Sequence, residues 1–425
     1  MSFEITFLGA SGGPLEGSTC SILLKSADIS YQSIIDKNLT HELLCIDAGA
    51  GMGKLAEIIH QESLFQTSYC NFLNYYPDCE PVGYYYHPLV AITTPFKNFT
   101  PHRSIIYTQK IFNHLENYLI THAHLDHVSA LVINSAGFNN KLLSKVIHGS
   151  HCTINALQKN LFNGKIWPNM PSFNLVNLRY LDSSHKLPTR IGNYDVKMFD
   201  LSHGEFNKLV EEEHYHQPQP QQNNNSTHLS VPTFGKTDQP RRRSSITTIP
   251  QNSNGIVMKN SEALNHHYLS SAFLIKHHQK TTSILIFGDF ESDLTSKLSR
   301  NSIIWQHVSP LVVNNQLAAI VLECSNSVEI DSDQLYGHLT PRLLVHELKQ
   351  LEIECRKLKP GVEKPLASLN VIVNHVKEPI LDISDDKEED VEVLDPRKKI
   401  LVELNKLNDL GCRFSIALSG TSIIV

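Results

Sequence analysis

The sequence predicts an α/β protein whose functional site lies at one edge of a β-sheet. Short apolar runs that are typical of buried strands recur along the chain, and several of them end in a cluster of polar residues. Amphipathic stretches with helical spacing lie between some of these runs. Because ligand sites in α/β sheets form at strand ends, the polar clusters indicate where the site is.

Three strands and a helix are expected at the start of the chain. The strands are predicted at 3–8, 20–25 and 43–47, and the first of them ends in the glycine-rich turn GASGGP. The stretch IDAGAGMGKLAEIIH then passes from strand to helix. Its three glycines allow the backbone to pass close to whatever lies at the strand end.

Later segments continue the alternation of strands and helices. A helix from about residue 108 leads into YLITHAHLDH, and an amphipathic helix is predicted at 340–358, with Thr340 as its cap and Pro341 at its first position. The helix PRKKILVELNKLNDL and the strand RFSIALSGTSIIV follow. Buried strands that end in polar clusters are predicted at 194–204, 282–292, 318–327 and 369–377.

We expect one domain over residues 1–425, with three segments of different character. Residues 61–110 are rich in aromatic residues and proline but have no clear period, which indicates an ordered insertion of uncertain structure. Residues 211–255 are rich in Gln, Asn, Pro and Ser, and they are predicted to form a disordered low-complexity insertion. The acidic run at 384–395 is predicted to be a solvated loop.

Composition limits the partners that the protein can bind. The formal charge of −6 provides no general positive field, so we expect neither nucleic acid nor membrane as a partner. Eight cysteines without a CxxC pair indicate reduced thiols. The start of the sequence lacks the features of a signal peptide, and no apolar run reaches about 18 residues, which favours the cytoplasm. The oligomeric state is left open, with a homodimer as one alternative.

The stretch THAHLDH at 121–127 concentrates metal-binding side chains in one turn of the chain. His122 and His124 alternate at a strand end and can face one point, whereas Asp126 and His127 begin a helix and can face a second point nearby. Imidazole and carboxylate groups are ligands of Zn²⁺. The pattern therefore predicts two neighbouring metal sites, and the alternative is a coincidental surface cluster in a chain that has 23 histidines.

Two metal ions need more than four ligands, and later strand ends offer them. His203 in LSHG, Asp289 in IFGDFE and His375 in VNHVK each follow an apolar strand directly. A strand end holds a side chain rigidly, which favours these three residues as further ligands. Each has an alternative, since the histidines could be capping or core residues and the aspartate could be a turn residue.

The order of these motifs resembles the metallo-β-lactamase superfamily. HxHxDH is followed by a lone histidine, an aspartate and a histidine at later strand ends, and FLGASGG with IDAGAG is similar to the N-terminal strand pair of that superfamily. The branches that it resembles are ribonuclease Z and the class II cyclic-nucleotide phosphodiesterases. The blocks THAHLDHVSALVINS, FGDFE, LECS, LYGHLTP and VNHVK are similar to the fungal low-affinity cAMP phosphodiesterases of class II.

The resemblance implies a fold and a metal centre. The implied fold is a single metallo-β-lactamase-like catalytic domain, which is a four-layer αβ/βα sandwich with two mixed sheets. The implied cofactors are two divalent metal ions, for which Zn²⁺ is favoured. The implied ligands are His122, His124 and His203 for one ion, Asp126, His127 and His375 for the other, and Asp289 as a bridge between them.

The reaction implied by the resemblance is the hydrolysis of 3′,5′-cyclic nucleotides, cAMP and also cGMP, to nucleoside 5′-monophosphates, which lowers cAMP signalling. Two Zn²⁺ ions carry four positive charges, of which Asp126 and Asp289 cancel half, so the centre would attract a phosphodiester anion despite the acidic chain. Water between the metal ions would be acidified and attack phosphorus as the 3′ oxygen leaves.

Two further residues are candidates beside the metal centre. His338 in LYGHLTP corresponds to a His-Ser-Thr element of ribonuclease Z, which favours it as proton donor to the leaving oxygen, and a capping histidine is the alternative. Asp47 is the candidate that orients a metal-binding imidazole, with a turn residue as the alternative. The predicted catalytic residues are therefore His338, Asp289 and Asp126. Cys324 is expected to be a small buried residue, because no base is paired with it.

Two other functions stay open on the same fold. A ribonuclease Z-like endonuclease would use the same metal ions on a longer phosphodiester, but it should show a basic, Gly-rich arm that grips RNA, and RRR at 241–243 is only a short basic cluster. A non-catalytic nucleotide or metal sensor would need an insertion that blocks the site, because all seven expected ligands are present. Histidines in or beside the polar insertion, or on an exposed strand face, are predicted to be solvated, namely His214, His216, His266, His267, His277 and His278.

A phosphorylation site is predicted within the low-complexity insertion. In RRRSS, at 241–245, arginines stand two and three residues before both Ser244 and Ser245, which is similar to the RRxS acceptor of cAMP-dependent protein kinase. A kinase that cAMP activates would then act on an enzyme that destroys cAMP. The alternative is a basic patch that only makes the loop soluble.

Overall fold

The structure is a computed structural model that describes residues 2–139, 144–205, 267–329, 335–379 and 393–425. Several predicted features lie outside these residues. They are the insertion at 211–255, with His214, His216, Ser244 and Ser245, together with His266 and residues 384–392 of the acidic run.

Met1–Gly204 and Tyr268–Val425 form one compact unit, which contains nearly all residues of the strands and helices. The strands, in chain order, are β1 (Phe3–Gly9), β2 (Ser21–Ser26), β3 (Leu44–Ile46), β4 (Ala91–Thr93), β5 (Asn117–Leu119), β6 (Lys145–Gly149), β7 (Val176–Tyr180), β8 (Thr189–Ile191), β9 (Tyr194–Glu205), β10 (His267–His277), β11 (Ser283–Phe287), β12 (Leu317–Glu323), β13 (Asn370–Asn374), β14 (Arg413–Ile416) and β15 (Ser422–Ile424).

Most of the helices connect parallel strands. In chain order they are α1 (Tyr31–Asp36), α2 (Met52–Phe65), α3 (Ser104–His114), α4 (Leu125–Asn134), α5 (His151–Ala156), α6 (Asp293–Ser296), α7 (Arg300–Val313), α8 (Pro341–Leu358) and α9 (Pro396–Leu407).

The first sheet is mixed and has the strand order β4-β15-β1-β2-β3-β5-β6-β7. Strands β15, β1, β2 and β3 pair antiparallel, and β3, β5, β6 and β7 pair in parallel. Strand β15 lies between β1 and β4, with Ile5 of β1 opposite Ile423. The sheet is therefore completed by a strand from the last residues of the sequence.

The second sheet is also mixed and has the order β14-β13-β12-β11-β10-β9-β8. Strands β11 to β14 pair in parallel, and β11 pairs antiparallel with β10. Every residue of β11 is buried, as expected for a parallel strand that is covered on both faces. The parallel order brings the carboxyl ends of β11, β12 and β13 to one edge.

Side chains of the first sheet alternate between two apolar cores. Ile22 and Leu24 belong to the core that the two sheets share, and Leu23 between them belongs to the core under helices α1 to α5. Helix α8 buries Leu344, Leu348 and Leu351 on one face, and these side chains pack in the same core as the residues of the second sheet. Two mixed sheets with helices packed on them confirm the predicted α/β fold.

Several predicted elements have different bounds in the structure. The helix expected from about residue 108 begins at Ser104, and the strand expected at 282–292 ends at Phe287. Residues 61–110 contain the end of α2, strand β4 and most of α3. Strand β4 has only three residues and forms because it pairs with β15. No local sequence pattern indicates this pairing.

The prediction that His277 is solvated is wrong. Its side chain is buried, its ring lies 5.2 Å from the Tyr194 ring, and its Nε2 atom is 3.5 Å from a carboxylate oxygen of Glu42. His278 is exposed. Because neighbouring residues at the end of a strand face opposite sides, only one of the two histidines can face solvent.

All eight cysteines are free, as expected for reduced thiols. Cys324 is buried, and burial raises the pKa of its thiol well above the ordinary value. Within the described ranges, the helices are too short or too polar to cross a lipid bilayer.

Candidate metal centre

Four segments of the chain bring the predicted ligands together. His122 and His124 lie between β5 and α4, and Asp126 and His127 lie in the first turn of α4. His203 is in β9, Asp289 follows β11, and His375 follows β13. The seven residues thus come from both sheets.

The ligand atoms form two adjoining groups. In the first group, atoms of His122, His124 and His203 lie within 4.8 Å of one another, and the same limit holds for the second group, which is Asp126, His127, Asp289 and His375. The structure therefore brings together all seven residues in the two sets that the resemblance implies. Asp289 belongs to the second group by these distances, and it also faces the first group.

Asp289 lies between the two groups. Its Oδ2 atom is 3.0 Å from His375 Nε2 and 3.3 Å from His127 Nε2. The same oxygen is 3.7 Å from the Nε2 atoms of His122 and His203. A single carboxylate that faces four imidazoles is in the position needed to bridge two cations.

The buried imidazoles are held through their Nδ1 atoms. His127 Nδ1–H donates to Asp47 at 2.8 Å, and His203 Nδ1–H donates to the carbonyl of Gly337 at 3.1 Å. His375 Nδ1–H donates to Ser325 Oγ at 2.9 Å. With Nδ1 engaged as a donor, Nε2 is the nitrogen that faces the centre, which is the usual arrangement of metal-binding histidines.

Asp47 is buried directly beneath this group. Besides His127, it accepts the backbone N–H of Thr121 at 2.8 Å and the hydroxyl of Thr121 at 2.9 Å. Since that hydroxyl donates to Asp47, it accepts from His122 Nδ1–H at 3.0 Å. Asp47 therefore orients His127 directly and His122 through Thr121, in agreement with the geometry expected of an orienting carboxylate.

Two glycines allow the backbone to approach the centre closely. A Cβ atom at Gly12 would lie 2.4 Å from His375 Nδ1, and one at Gly49 would lie 1.8 Å from the carbonyl oxygen of Asp126. Neither distance can be reached by a real side chain. The turns GASGGP and IDAGAG thus contain glycine where ligand residues pack against the main chain.

The electrostatics of the centre divide the histidines into two pairs. Burial lowers the pKa of His122 well below its ordinary value and lowers the pKa of His203 to about 4. Burial also acts to lower the pKa of His127 and His375, but the Asp289 carboxylate outweighs it and raises the pKa of His375 to about 9. Metal binding would therefore displace protons from His127 and His375.

The two carboxylates of the centre are held in the charged form. Burial acts to raise the pKa of Asp289, but the imidazoles of His375 and His127 reverse this effect and lower it well below the ordinary value. The same balance, with a hydrogen bond from His375, lowers the pKa of Asp126.

His338 lies beside both groups of ligands. Its ring centroid is 4.8 Å from that of His203 and 5.1 Å from that of His375. Its Nδ1–H donates to Glu323 Oε1 at 2.9 Å, which leaves Nε2 as the other polar atom of the ring. The structure therefore puts His338 next to the centre and fixes its orientation through Glu323.

Glu323 was not predicted as a site residue. It ends β12 and is 2% exposed. Besides His338, it accepts the backbone N–H of Phe290 at 2.9 Å and the hydroxyl of Ser325 at 2.5 Å. The available signal was its place in LECS, a polar cluster that follows an apolar strand.

The centre is open to solvent on one side. His122, His127, His203, Asp289 and His375 are all buried. In contrast, the Asp126 side chain is 28% exposed, His124 is half-buried, and Leu125 between them is 66% exposed. A substrate can therefore approach over the His124–Asp126 edge.

Comparisons with known proteins support one family. The family model of class II cAMP phosphodiesterases matches residues 34–420. A 3′,5′-cyclic-nucleotide phosphodiesterase of Candida albicans is 64% identical over 100% of both chains, and 3′,5′-cyclic-nucleotide phosphodiesterase 1 of Saccharomyces cerevisiae is 28% identical over 100% of this chain and 99% of its own. The crystal structure of unliganded yeast PDE1 superposes with a TM-score of 0.71 at 26% identity, covering 100% of this chain and 99% of that one. The chain belongs to the class II cAMP phosphodiesterase family.

Proposed function

We propose that the protein hydrolyses cAMP, and also cGMP, to nucleoside 5′-monophosphates at the candidate metal centre with two zinc ions. Family membership makes the chain a metal-dependent 3′,5′-cyclic-nucleotide phosphodiesterase of class II. The observation that supports this site is the convergence of four buried imidazoles on the Asp289 carboxylate.

The residues of the centre fit divalent metal ions. The Nε2 atoms of His122 and His127 are buried and have no hydrogen-bond partner among the described residues. His122 Nε2 is 3.7 Å from Asp289 Oδ2, which is too far for a hydrogen bond, and His127 Nε2 at 3.3 Å is not aligned for one. A buried polar atom without a partner costs about 1–3 kcal/mol, and coordination of a cation would remove this cost. Imidazole and carboxylate groups are also the donors that zinc accepts.

We assign the ligands as two sets that share one carboxylate. The first ion would be held by His122, His124 and His203, the second by Asp126, His127 and His375, with Asp289 in contact with both. Bound metal ions would supply positive charge for the phosphodiester and would acidify a water molecule. The chain's own contribution is to hold Asp126 and Asp289 in the charged form and to keep the imidazoles in one orientation.

His338 is the proposed proton donor. Cleavage of the P–O3′ bond leaves an alkoxide that needs a proton, and a positioned acid can provide it. Glu323 holds the Nδ1–H of His338, so that Nε2–H is the group available to the leaving oxygen. Asp47 acts by orienting His127 and takes no part in the proton transfer.

The other proposals rest on the sequence. We propose a single catalytic domain over 1–425 in the cytoplasm, and a homodimer is left open. Ser244 and Ser245, which lie outside the described residues, stay the predicted sites for cAMP-dependent protein kinase.

Turnover of cAMP by the purified protein, with and without a chelator, tests the proposal. We expect hydrolysis that the chelator abolishes and that added Zn²⁺ restores, with about two zinc ions per chain at full activity. A short RNA serves as the control substrate, since a ribonuclease Z-like enzyme would cleave it. Cleavage of RNA without hydrolysis of cAMP would contradict the proposal.

A further inference from the structure

The edge by which substrate reaches the centre carries exposed apolar side chains. Leu125 is 66% exposed, Tyr268 is 40% exposed and Tyr336 is 76% exposed. Tyr268 packs on a metal-ligand candidate, because its ring centroid is 5.4 Å from that of His124. Tyr336 has no ring contact of this kind among the described residues. Packing on a metal-ligand candidate therefore does not explain why the Tyr336 ring is where it is.

Tyr336 occupies an unfavourable backbone position. His338 N–H donates to the carbonyl of Leu335 at 3.0 Å, which closes a four-residue turn over Leu335–His338. The central residues, Tyr336 and Gly337, have φ values of 48° and 80°, as in a type I′ turn. Such positions favour Asn, Asp and Gly, and a bulky aromatic residue in this conformation is a true outlier. Backbone strain of this kind clusters at active sites and ligand contacts.

The turn is fixed against the metal centre. The Gly337 carbonyl accepts the Nδ1–H of His203, and a Cβ at Gly337 would lie 2.6 Å from the Gly204 nitrogen and from the His203 carbonyl carbon. The last residue of the turn is His338, the proposed proton donor. The turn therefore cannot move without disturbing both histidines, and it projects the Tyr336 ring into solvent beside them.

We propose that the Tyr336 ring stacks on the purine base of the cyclic nucleotide. This inference rests on the proposed function, because His338 beside O3′ would put the ribose next to the turn. The phosphate lies at the charged centre, so the flat apolar base has to extend outward from the ribose. Aromatic stacking uses the face of the base and tolerates different purines, which fits an enzyme that accepts both cAMP and cGMP.

Kinetics of ring-removal variants test the stacking. Tyr336→Ala and Tyr336→Asn both remove the ring, and Asn also suits the left-handed backbone, so a shared effect cannot arise from strain. Tyr336→Phe keeps the ring. Tyr75→Ala is the matched control, because Tyr75 is 71% exposed and its ring contacts Phe72 rather than the centre.

We expect the KM for cAMP to rise about 5- to 150-fold in the Ala and Asn variants, which is the range for loss of one base–aromatic stack, with little change in kcat. Tyr336→Phe and Tyr75→Ala should resemble the parent protein. With a methyl ribofuranoside 3′,5′-cyclic phosphate, which has no base, the parent and the ring-removal variants should have the same KM.

Two results would overturn the inference. One is an unchanged KM for cAMP in the ring-removal variants, and the other is an equal rise in KM for cAMP and for the substrate without a base. If the parent protein hydrolyses no cAMP, the proposed function fails, and calorimetric binding of 5′-AMP still decides the question. Equal dissociation constants for the parent protein and Tyr336→Ala would then refute stacking.

Discussion

Replacing Glu323 by glutamine should slow hydrolysis of cAMP while the metal content of the protein stays unchanged. Glu323 is 2% exposed, and its Oε1 atom accepts the Nδ1–H of His338 at 2.9 Å. Glutamine preserves the size of the side chain but removes its charge. As the proposed proton donor to O3′, His338 would then lack its anionic partner.

The size of the effect follows from this one contact. A hydrogen bond to a charged group contributes about 1.5–3 kcal/mol, and each 1.36 kcal/mol is a factor of ten in rate, so kcat should fall about 10- to 150-fold. His338→Ala removes the donor itself and should lower turnover about 10²- to 10⁴-fold. Because Glu323 acts through His338, the double variant should be no slower than His338→Ala alone.

The assay compares two leaving groups. The O3′ alkoxide of cAMP needs a proton, whereas p-nitrophenolate is stable without one, so a p-nitrophenyl phosphodiester should be hydrolysed by Glu323→Gln at nearly the parent rate. Ser325→Ala is the control for the loss of a different hydrogen bond to Glu323. It removes the hydroxyl that links Glu323 to His375 but leaves the bond from His338 to Glu323 intact.

Equal losses with both substrates would refute the reasoning, as would a loss of metal large enough to explain the loss of rate. Either result would mean that Glu323 supports the ligands rather than the proton donor. Unchanged turnover in His338→Ala would instead reassign that histidine to a structural role in the turn.

Other predictions concern the metal bridge, a buried acid and the insertion. Asp289→Ala should stay soluble but lose activity and bind fewer than the two zinc ions that we expect in the parent protein, and metal analysis that found at most one ion at full activity would exclude a two-metal mechanism. Burial raises the pKa of Glu62 from 4.5 to about 8, although one of its oxygens accepts the Phe96 N–H. The folded state thus retains this proton longer than the unfolded chain, and its stabilising effect, complete below pH 4.5, is lost as the pH rises through about 8. Glu62→Gln cannot ionise, so its melting temperature relative to the parent protein should increase between pH 6 and pH 9, and a constant difference would contradict this. We expect cAMP-dependent protein kinase to phosphorylate Ser244 or Ser245 and thereby to change the activity. Equal labelling of the variant in which both serines are replaced by alanine would disprove this site.

Local sequence indicated the seven residues that gather at the centre, and the resemblance divided them into two sets of ligands. THAHLDH is one continuous stretch, and its ligand types are visible without knowledge of the fold. His203, Asp289 and His375 were found because each adjoins an apolar strand. In every case the signal is a polar residue next to a strand that the hydrophobic pattern already indicates.

Glu323 was missed because its partners become neighbours only through the order of strands in the second sheet. Phe290 follows β11, Glu323 ends β12, and His375, which Ser325 contacts, follows β13. A single sequence indicates strands but not which of them lie side by side. The burial of His277, in contrast, could have been predicted from the alternation along β10.

The position of β15 has a consequence for the biogenesis of the enzyme. Residues 422–424 separate β1 from β4, and the carbonyl of Val425 accepts the N–H groups of Ser2 and Phe3. Because residues 422–424 are synthesised long after β1, strand β1 lacks β15 as a neighbour until those residues have left the ribosome. Such long-range pairing slows folding and leaves strand edges exposed to aggregation. We therefore expect chaperones to bind the β1–β2 hairpin during synthesis, before β15 can pair with it.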